Sequence, residues 1–371
     1  MHIEPFGVEI WMNAWETRCD WNLAETCVDS LTVASLLEIC GQRERDLDTL
    51  LPLRLSYGDI TGSPRLRAAI AALYKTATED NVMVAHGTIG ANMLVHRTVV
   101  NPGDHVVCVV PTYQQHYSIP ASLGAEVETL ALREADDWLP DLDALRRLVR
   151  PSTQLIALTN PNNPTGALMS EAGLTEIAAI ARSVGAWVLC DEVYRGTEQP
   201  GVARCPSIVD VYERGISTAS VSKAFSLAGL RLGWVIAPRD LLEAVSVHRD
   251  YDTISVGMLD DHFAALALEH SDAILARSQR IVTENLAALS DWMRERNTLS
   301  WVVPRAGTTA LLKYPQDTPS EALCVDILSK TGVMLTPGSA LNMEGYLRIG
   351  YANHGDVLRA GLARLDAVFG R

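Results

Sequence analysis

The sequence predicts an α/β fold, a mainly parallel sheet held between helices, with a smaller α+β region after it. Three observations carry this expectation. The middle of the chain repeats a short run rich in Val, Ile or Leu, a polar turn and a segment with helical spacing. The apolar runs are continuous rather than alternating, as in strands covered on both faces. Beyond the longest helical pattern the runs shorten and are broken by Pro304, Pro315, Pro337 and several glycines.

In chain order, Ala85 to Asn92 reads as a glycine-rich turn opening a helix, whose free N–H groups suit a phosphate. His105 to Val110 is a strand that runs into Pro111-Thr112-Tyr113, an aromatic face. Gln154 to Thr159 is a second strand, leading into the rigid turn Asn160-Pro161-Asn162-Asn163-Pro164-Thr165-Gly166. Glu171 to Ser183 has helical spacing and stops before Gly185. Ala186 to Cys190 is a third strand and ends in Asp191-Glu192-Val193-Tyr194-Arg195. Between Ser271 and Glu295 the stripe Ile274, Leu275, Ile281, Val282, Leu286 and Leu289 predicts a long helix, a strut between two domains. Thr308 to Leu312 and Tyr346 to Gly350 are strands of the smaller region.

Composition narrows the function. A chain of 371 residues, 48% hydrophobic and 20% charged, is an ordinary globular composition for two or perhaps three domains. A net charge of -14 without a basic stripe disfavours nucleic acid and acidic membrane surfaces. The start Met1-His2-Ile3-Glu4-Pro5 lacks the basic and apolar run of an export signal and no segment has transmembrane length, so the expected location is the cytoplasm. The 7 cysteines, at 19, 27, 40, 108, 190, 205 and 324, and the 9 histidines are scattered without metal-ligand spacing, so no metal is expected.

The most informative residue is Lys223, in Ser220-Val221-Ser222-Lys223-Ala224-Phe225-Ser226-Leu227-Ala228-Gly229-Leu230-Arg231-Leu232-Gly233. A lysine among small residues can meet a bulky aldehyde and form an imine, provided its surroundings lower its pKa. Arg231 offers a planar fork for a phosphate dianion, and Ser220 a hydroxyl. Ligands of open α/β sheets bind beyond the carboxyl ends of the strands, where this sequence collects its polar groups. Singly, the Asn-Pro-Thr-Gly turn, Asp191 and Tyr113 have structural readings as turn, helix cap and core aromatic. Together and in order they supply every group that pyridoxal phosphate needs.

By this joint pattern the chain resembles the class I/II aminotransferases, the fold type I family of pyridoxal-phosphate enzymes, over nearly its whole length. The resemblance implies a large cofactor-binding domain, 45–270, with a seven-stranded-type sheet, and a small α+β domain from 1–44 and 271–371. It implies that Lys223 carries the cofactor, Asp191 pairs with the pyridine nitrogen, Tyr194 and Asn163 bond the ring hydroxyl oxygen, and Tyr113 stacks on the ring. Gly87, Thr88 and Ile89 would contact the phosphate, with Ser220, Ser222 and Arg231. Tyr57, in Ser56-Tyr57-Gly58-Asp59, matches a tyrosine that reaches the neighbouring subunit's phosphate, which implies a homodimer with shared sites. Arg348, with Asn163 beside it, matches the clamp for the substrate α-carboxylate.

The expected activity is amino-group transfer from an L-amino acid to a 2-oxo acid, through an external aldimine and a quinonoid intermediate. The alternative keeps the cofactor and ends in β-elimination, as in a C–S lyase, or in cyclisation, as in natural-product and antibiotic pathways, whose cyclases the N-terminal segment resembles weakly. A non-catalytic aminotransferase-like module is disfavoured because all the cofactor residues are present. Glu9 and Glu25 are candidates to meet a cationic substrate side chain; solvation or helix capping explains them equally well. Arg249 is either phosphate- or substrate-facing or part of a structural ion pair, and His86 and His116 flank the cofactor turns as candidate proton carriers.

Overall fold

Seven strands pair into one sheet in the computed structural model, which describes residues 2–41, 43–204, 206–315 and 317–370. They are β1 (Val82–His86), β2 (His105–Val110), β3 (Glu126–Ala131), β4 (Thr153–Thr159), β5 (Trp187–Asp191), β6 (Gly215–Ser220) and β7 (Leu232–Ile236). Their order across the sheet is β1-β7-β6-β5-β4-β2-β3. Only β7 runs against its neighbours; the ladders joining β3, β2, β4, β5 and β6 are parallel. The carboxyl ends of β4, β5 and β6 therefore meet on one edge, with Thr159 opposite Asp191 and Asp191 opposite Thr218.

The sheet is buried on both faces. One apolar cluster joins Val107, Ile156, Val188 and Cys190 to Leu174 and Ile177 of the helix Glu171–Val184; another joins Val106, Leu155, Leu189 and Val235 to Leu94 and Val95 of the helix Gly87–Val99. At about 1.5–3 kcal/mol per fully buried aliphatic side chain, these faces are a major stabilising term of the fold. Helix Glu171–Val184 opens with Ser170 accepting from Gly173 N–H and closes on Gly185 at φ 74°, one residue beyond its expected end.

A second, antiparallel sheet joins β8 (Thr309–Lys313), β9 (Thr336–Pro337) and β10 (Tyr346–Gly350) in the order β9-β10-β8. The predicted strut is the helix Ser271–Arg294: Ile274 and Leu275 pack against the large sheet, while Val282, Leu286 and Leu289 pack in the core of the smaller one. Three strand boundaries move from their expected places. β4 begins at Thr153, β8 covers Thr309–Lys313, and β5 omits Ala186 but includes Asp191, because pairing with β4 and β6 extends through that residue. No described helix is long and apolar enough to cross a membrane.

Candidate active site

A cavity of about 270 Å³ opens at the carboxyl ends of β4, β5 and β6. It is lined by Thr159, Asp191 and Ser220, the last residues of those strands, and by Lys223, which follows Ser220 in a turn tied by Ser226 N–H to Lys223 O at 3.2 Å. Tyr113, Asn163, Tyr194, Ser222, Arg231, Thr88, Ile89 and Glu9 line the same space.

Lys223 Nζ donates to Thr26 Oγ1 at 2.7 Å and to Cys27 Sγ at 3.3 Å. The expected lowering of its pKa is reversed. Burial works to depress the ammonium, but Cys27, Tyr194 and Glu25 around it raise it above the ordinary lysine value. The same cluster acts on its members: burial pushes the Cys27 thiol up to about 11, and although burial opposes it, the Lys223 charge and hydrogen bonds from Cys27 and Thr26 hold Glu25 below the usual range. Glu25 does not line the cavity; its Oε1 accepts the backbone N–H groups of Thr26 (2.7 Å) and Cys27 (2.8 Å) in a loop, so it neither faces the cavity nor caps a helix.

Asp191 is buried and accepts Asn92 Nδ2 at 3.1 Å and the Val193 N–H at 3.1 Å. Thr218 Oγ1 donates to Asn92 Oδ1 at 2.7 Å, which turns the Asn92 amide so that its NH₂ faces the carboxylate. His116 Nε2 lies 3.7 Å from Asp191 Oδ2, and His116 Nδ1 meets His96 Nε2 at 3.3 Å. Of the two histidines singled out, His116 reaches the site; His86, at the end of β1, is exposed and lines no part of the cavity.

The turn after β1 forms a cradle for an anion. Gly87 has φ 65°, and the Thr88 hydroxyl is buried without a partner. A Cβ on Gly233 of β7 would lie 2.4 Å from Gly87 C and 2.7 Å from Thr88 N, so only glycine lets the strand approach this closely. Arg231 (φ 50°) donates from Nη1 to Ala228 O at 2.9 Å, and its Nη2 lies 3.1 Å from where a Gly87 Cβ would stand. Ser220 Oγ accepts the Ser222 N–H at 3.2 Å.

Arg348 of β10, 2% exposed, donates from Nη2 to Ala24 O and Thr336 Oγ1, both at 3.1 Å, and from Nη1 to Asn163 Oδ1 at 3.4 Å; its Nε is buried without a partner. Helix Gly7–Trp15 closes the other side. Tyr113 Oη donates to Glu9 Oε1 at 2.9 Å, and the Phe6 ring stands 4.7 Å from the Tyr113 ring.

Tyr57 and Arg249, like Glu25 and His86, stay apart from the cavity. Tyr57 is 80% exposed and outside the cavity of this chain. Arg249 is buried at the end of the helix Arg239–Arg249, donating to Ser246 Oγ at 3.3 Å with Asp250 Oδ1 at 4.0 Å, the structural alternative. Cys19, Cys27, Cys108 and Cys324 form no disulfide, and Cys205 lies outside the described residues. Thr26, Asn92, Thr218 and His96 complete the site without having been singled out in the sequence; of these, Asn92 falls inside the Ala85 to Asn92 turn, the one available signal.

The chain is 32% identical to the capreomycidine synthase of Streptomyces vinaceus, over 98% of this chain and 93% of that protein. The structure of a PLP-dependent aminotransferase from Streptococcus suis matches with a TM-score of 0.96 and 40% identity, covering 100% of both chains. That of the PLP-dependent cyclase OrfR matches with a TM-score of 0.91 and 27% identity, over 100% of this chain and 98% of that one. With the aminotransferase class I and II model matching residues 42–363, this chain belongs to that family and has its fold type I architecture.

Proposed function

We propose that the chain binds pyridoxal phosphate and acts on the α-amino group of an L-amino acid, with Lys223 as the imine-forming amine and as the base for the Cα proton. The observation that carries this reading is the convergence of Lys223, Asp191, Tyr194, Asn163, Tyr113 and Arg231 on one cavity. The phosphate fits the cradle described above: the orphaned Thr88 hydroxyl and the close approach at Gly233 leave donors facing a space that needs an anion. Gly87, Thr88, Ile89, Ser220, Ser222 and Arg231 hold it in this reading, and Tyr57 reaches the phosphate of a second protomer. Exposed Leu51, Leu55, Tyr57, Tyr251 and Ile254 support such a homodimer.

Asp191 pairs with the ring nitrogen, Tyr194 and Asn163 hold the ring hydroxyl oxygen, and Tyr113 stacks on the ring. When bound, the cofactor supplies an electron sink for the pair released at the substrate Cα. Arg348 takes the substrate carboxylate, a role supported by its buried, unpartnered Nε. Glu9 meets the far end of the substrate, and Glu25 tunes Lys223.

Amino-group transfer to a 2-oxo acid is one outcome, supported by the 40% identity to a PLP-dependent aminotransferase. Elimination or cyclisation is the second, supported by the likeness to capreomycidine synthase and to a PLP-dependent cyclase. The division into 45–270 and 1–44 with 271–371 is supported by the apolar cluster that joins Trp11, Leu23 and Val28 to Val282, Leu347 and Leu358. Unbridged buried thiols, Cys27, Cys108 and Cys324, support a reducing, cytoplasmic setting.

The test is a panel of amino acids mixed with the cofactor-loaded protein, followed by spectrum, ammonia and 2-oxo acid. Stoichiometric conversion of the cofactor to its amine form, reversed by a 2-oxo acid, is the result expected for transfer. Ammonia or a released β-substituent with an unchanged resting spectrum decides for elimination. Absence of any lysine-imine absorption band overturns the reading as a whole.

A further inference from the structure

We infer that a second cavity, beside the strut helix, binds a small molecule with a cationic group at one end and a carboxylate at the other, the charge pattern of an amino acid. The cavity measures about 440 Å³ and shares no lining residue with the one that holds Lys223. It does not rest on the role of Lys223.

Two elements form its walls: the loop that leaves Tyr194 and the first turns of the helix Ser271–Arg294. Hydrogen bonds fix the shape of the loop. Thr197 Oγ1 donates to Tyr194 O at 2.5 Å and accepts the Gly307 N–H at 2.9 Å, Gln199 N–H bonds Arg305 O at 3.0 Å, and Val202 N–H bonds Gln199 O at 3.0 Å. Gly196, at φ 100°, brings the loop against the helix, since a Cβ there would lie 2.9 Å from Leu275 Cδ2. The cavity is therefore walled by structured backbone, and its volume is that of a small-molecule site.

Its charges are of both signs and unanswered. Glu198 is 4% exposed; its Oε1 accepts the Gly196 N–H at 3.2 Å, but Oε2 is buried with no partner among the described residues. A buried carboxylate oxygen is costly until a donor replaces its lost water. Asp272, exposed in the first turn of the helix, adds a second carboxylate to the lining. The cation of the cavity is Arg204, exposed and without an ion pair or hydrogen bond among the described residues. Glu198 and Arg204 lie within electrostatic reach of each other, yet no ion pair joins them. A simple amine would answer Glu198 and meet repulsion from Arg204; a simple acid would do the reverse. A molecule with both ends, an ammonium or guanidinium toward Glu198 and Asp272 and a carboxylate toward Arg204, satisfies both, while Leu275 offers an apolar wall to the chain between them.

The probe is 4-guanidinobutanoate, which has both ends and no primary amine to form an imine with the cofactor. Calorimetric titration into the cofactor-loaded protein should give a Kd of about 10 mM or tighter, with the imine absorption band unchanged. Butylguanidinium and butanoate, each with one end, should bind at least about tenfold more weakly, the weight of one charge-assisted hydrogen bond. Glu198→Gln keeps an acceptor for the Gly196 N–H and sets an NH₂ against the cation; Arg204→Gln, at an exposed position, removes the partner of the carboxylate. Each should weaken the probe by about tenfold or more, and Arg348→Gln, in the other cavity, should leave its affinity within about threefold of wild type.

No binding by the wild-type protein, equal affinity for a one-ended ligand, or an unchanged affinity in either Glu198→Gln or Arg204→Gln overturns the inference. Loss of binding in Arg348→Gln also overturns it, because the probe then occupies the Lys223 cavity.

Discussion

His116 Nε2 faces Asp191 Oδ2 at 3.7 Å, the same carboxylate oxygen that Asn92 Nδ2 reaches at 3.1 Å. Asp191 thus has a donor on each oxygen, Asn92 Nδ2 on Oδ2 and the Val193 N–H on Oδ1, with an imidazole close by, a setting that fixes the plane of the carboxylate. Asp191→Asn retains the shape, but its NH₂ must oppose either the Asn92 NH₂ or the Val193 N–H. The variant should bind cofactor within about tenfold of wild type, while single-turnover Cα deprotonation falls by about 10³-fold or more, the scale of a lost charge at a reacting centre. Stopped-flow exchange of the substrate Cα deuteron measures the second quantity.

His96, fully buried beside His116, sets an acid limit on stability. Burial and the neighbouring imidazole push its pKa well below the ordinary histidine value. A group depressed in the folded state contributes stability that is complete above its unfolded pKa, about 6.5, and that is lost as pH falls from there toward the folded value. Urea midpoints should therefore decline from about pH 6.5 downward, and His96→Phe should flatten that decline relative to wild type. His105 is also depressed, chiefly by burial, so it is the difference between the two proteins that isolates His96.

Gly233→Ala tests the cradle. The added Cβ would lie 2.4 Å from Gly87 C, and the clash is with backbone, which has no rotamer to give. Stability should fall by about 1–3 kcal/mol, as for an overpacked methyl, and cofactor affinity should fall with it because the Thr88 N–H is displaced. Equilibrium dialysis against pyridoxal phosphate checks the affinity; a variant that binds like wild type shows that the turn can move without loss.

Much of the site was legible because polar residues follow apolar runs: Asp191, Asn163, Tyr113 and Lys223 stand where buried parallel strands end, and that pattern is local. Strands of another kind escaped. β6 reads Gly-Ile-Ser-Thr-Ala-Ser, small and polar, yet every residue is buried, because Thr218 bonds Asn92 and the tight neighbours leave no room for larger groups. β3 is an edge strand with Glu126 and Glu128, and β7 carries Gly233. Thr26 was invisible for a different reason. It meets Lys223 across 197 residues, a contact that no local pattern encodes. Distance in sequence also hid the reversal of the Lys223 pKa, since small apolar neighbours in sequence gave way to Cys27, Tyr194 and Glu25 in space.

Glu9 separates a specificity role from a helical one. It lies in the first turn of helix Gly7–Trp15, where a carboxylate gains about 0.3–1 kcal/mol from the helix dipole, and it also lines the cavity with Oε1 on the Tyr113 hydroxyl. Glu9→Gln keeps an acceptor for Tyr113 and removes only the charge. If the carboxylate serves the helix alone, the variant loses a few tenths of a kcal/mol in stability and treats all substrates alike. If it faces the distal end of the substrate, kcat/KM for L-arginine, L-lysine and L-ornithine should fall by about 10-fold or more, the weight of a charge-assisted hydrogen bond, while neutral amino acids change less than about threefold. The ratio between the two classes decides, because a general loss of helix packing lowers both together.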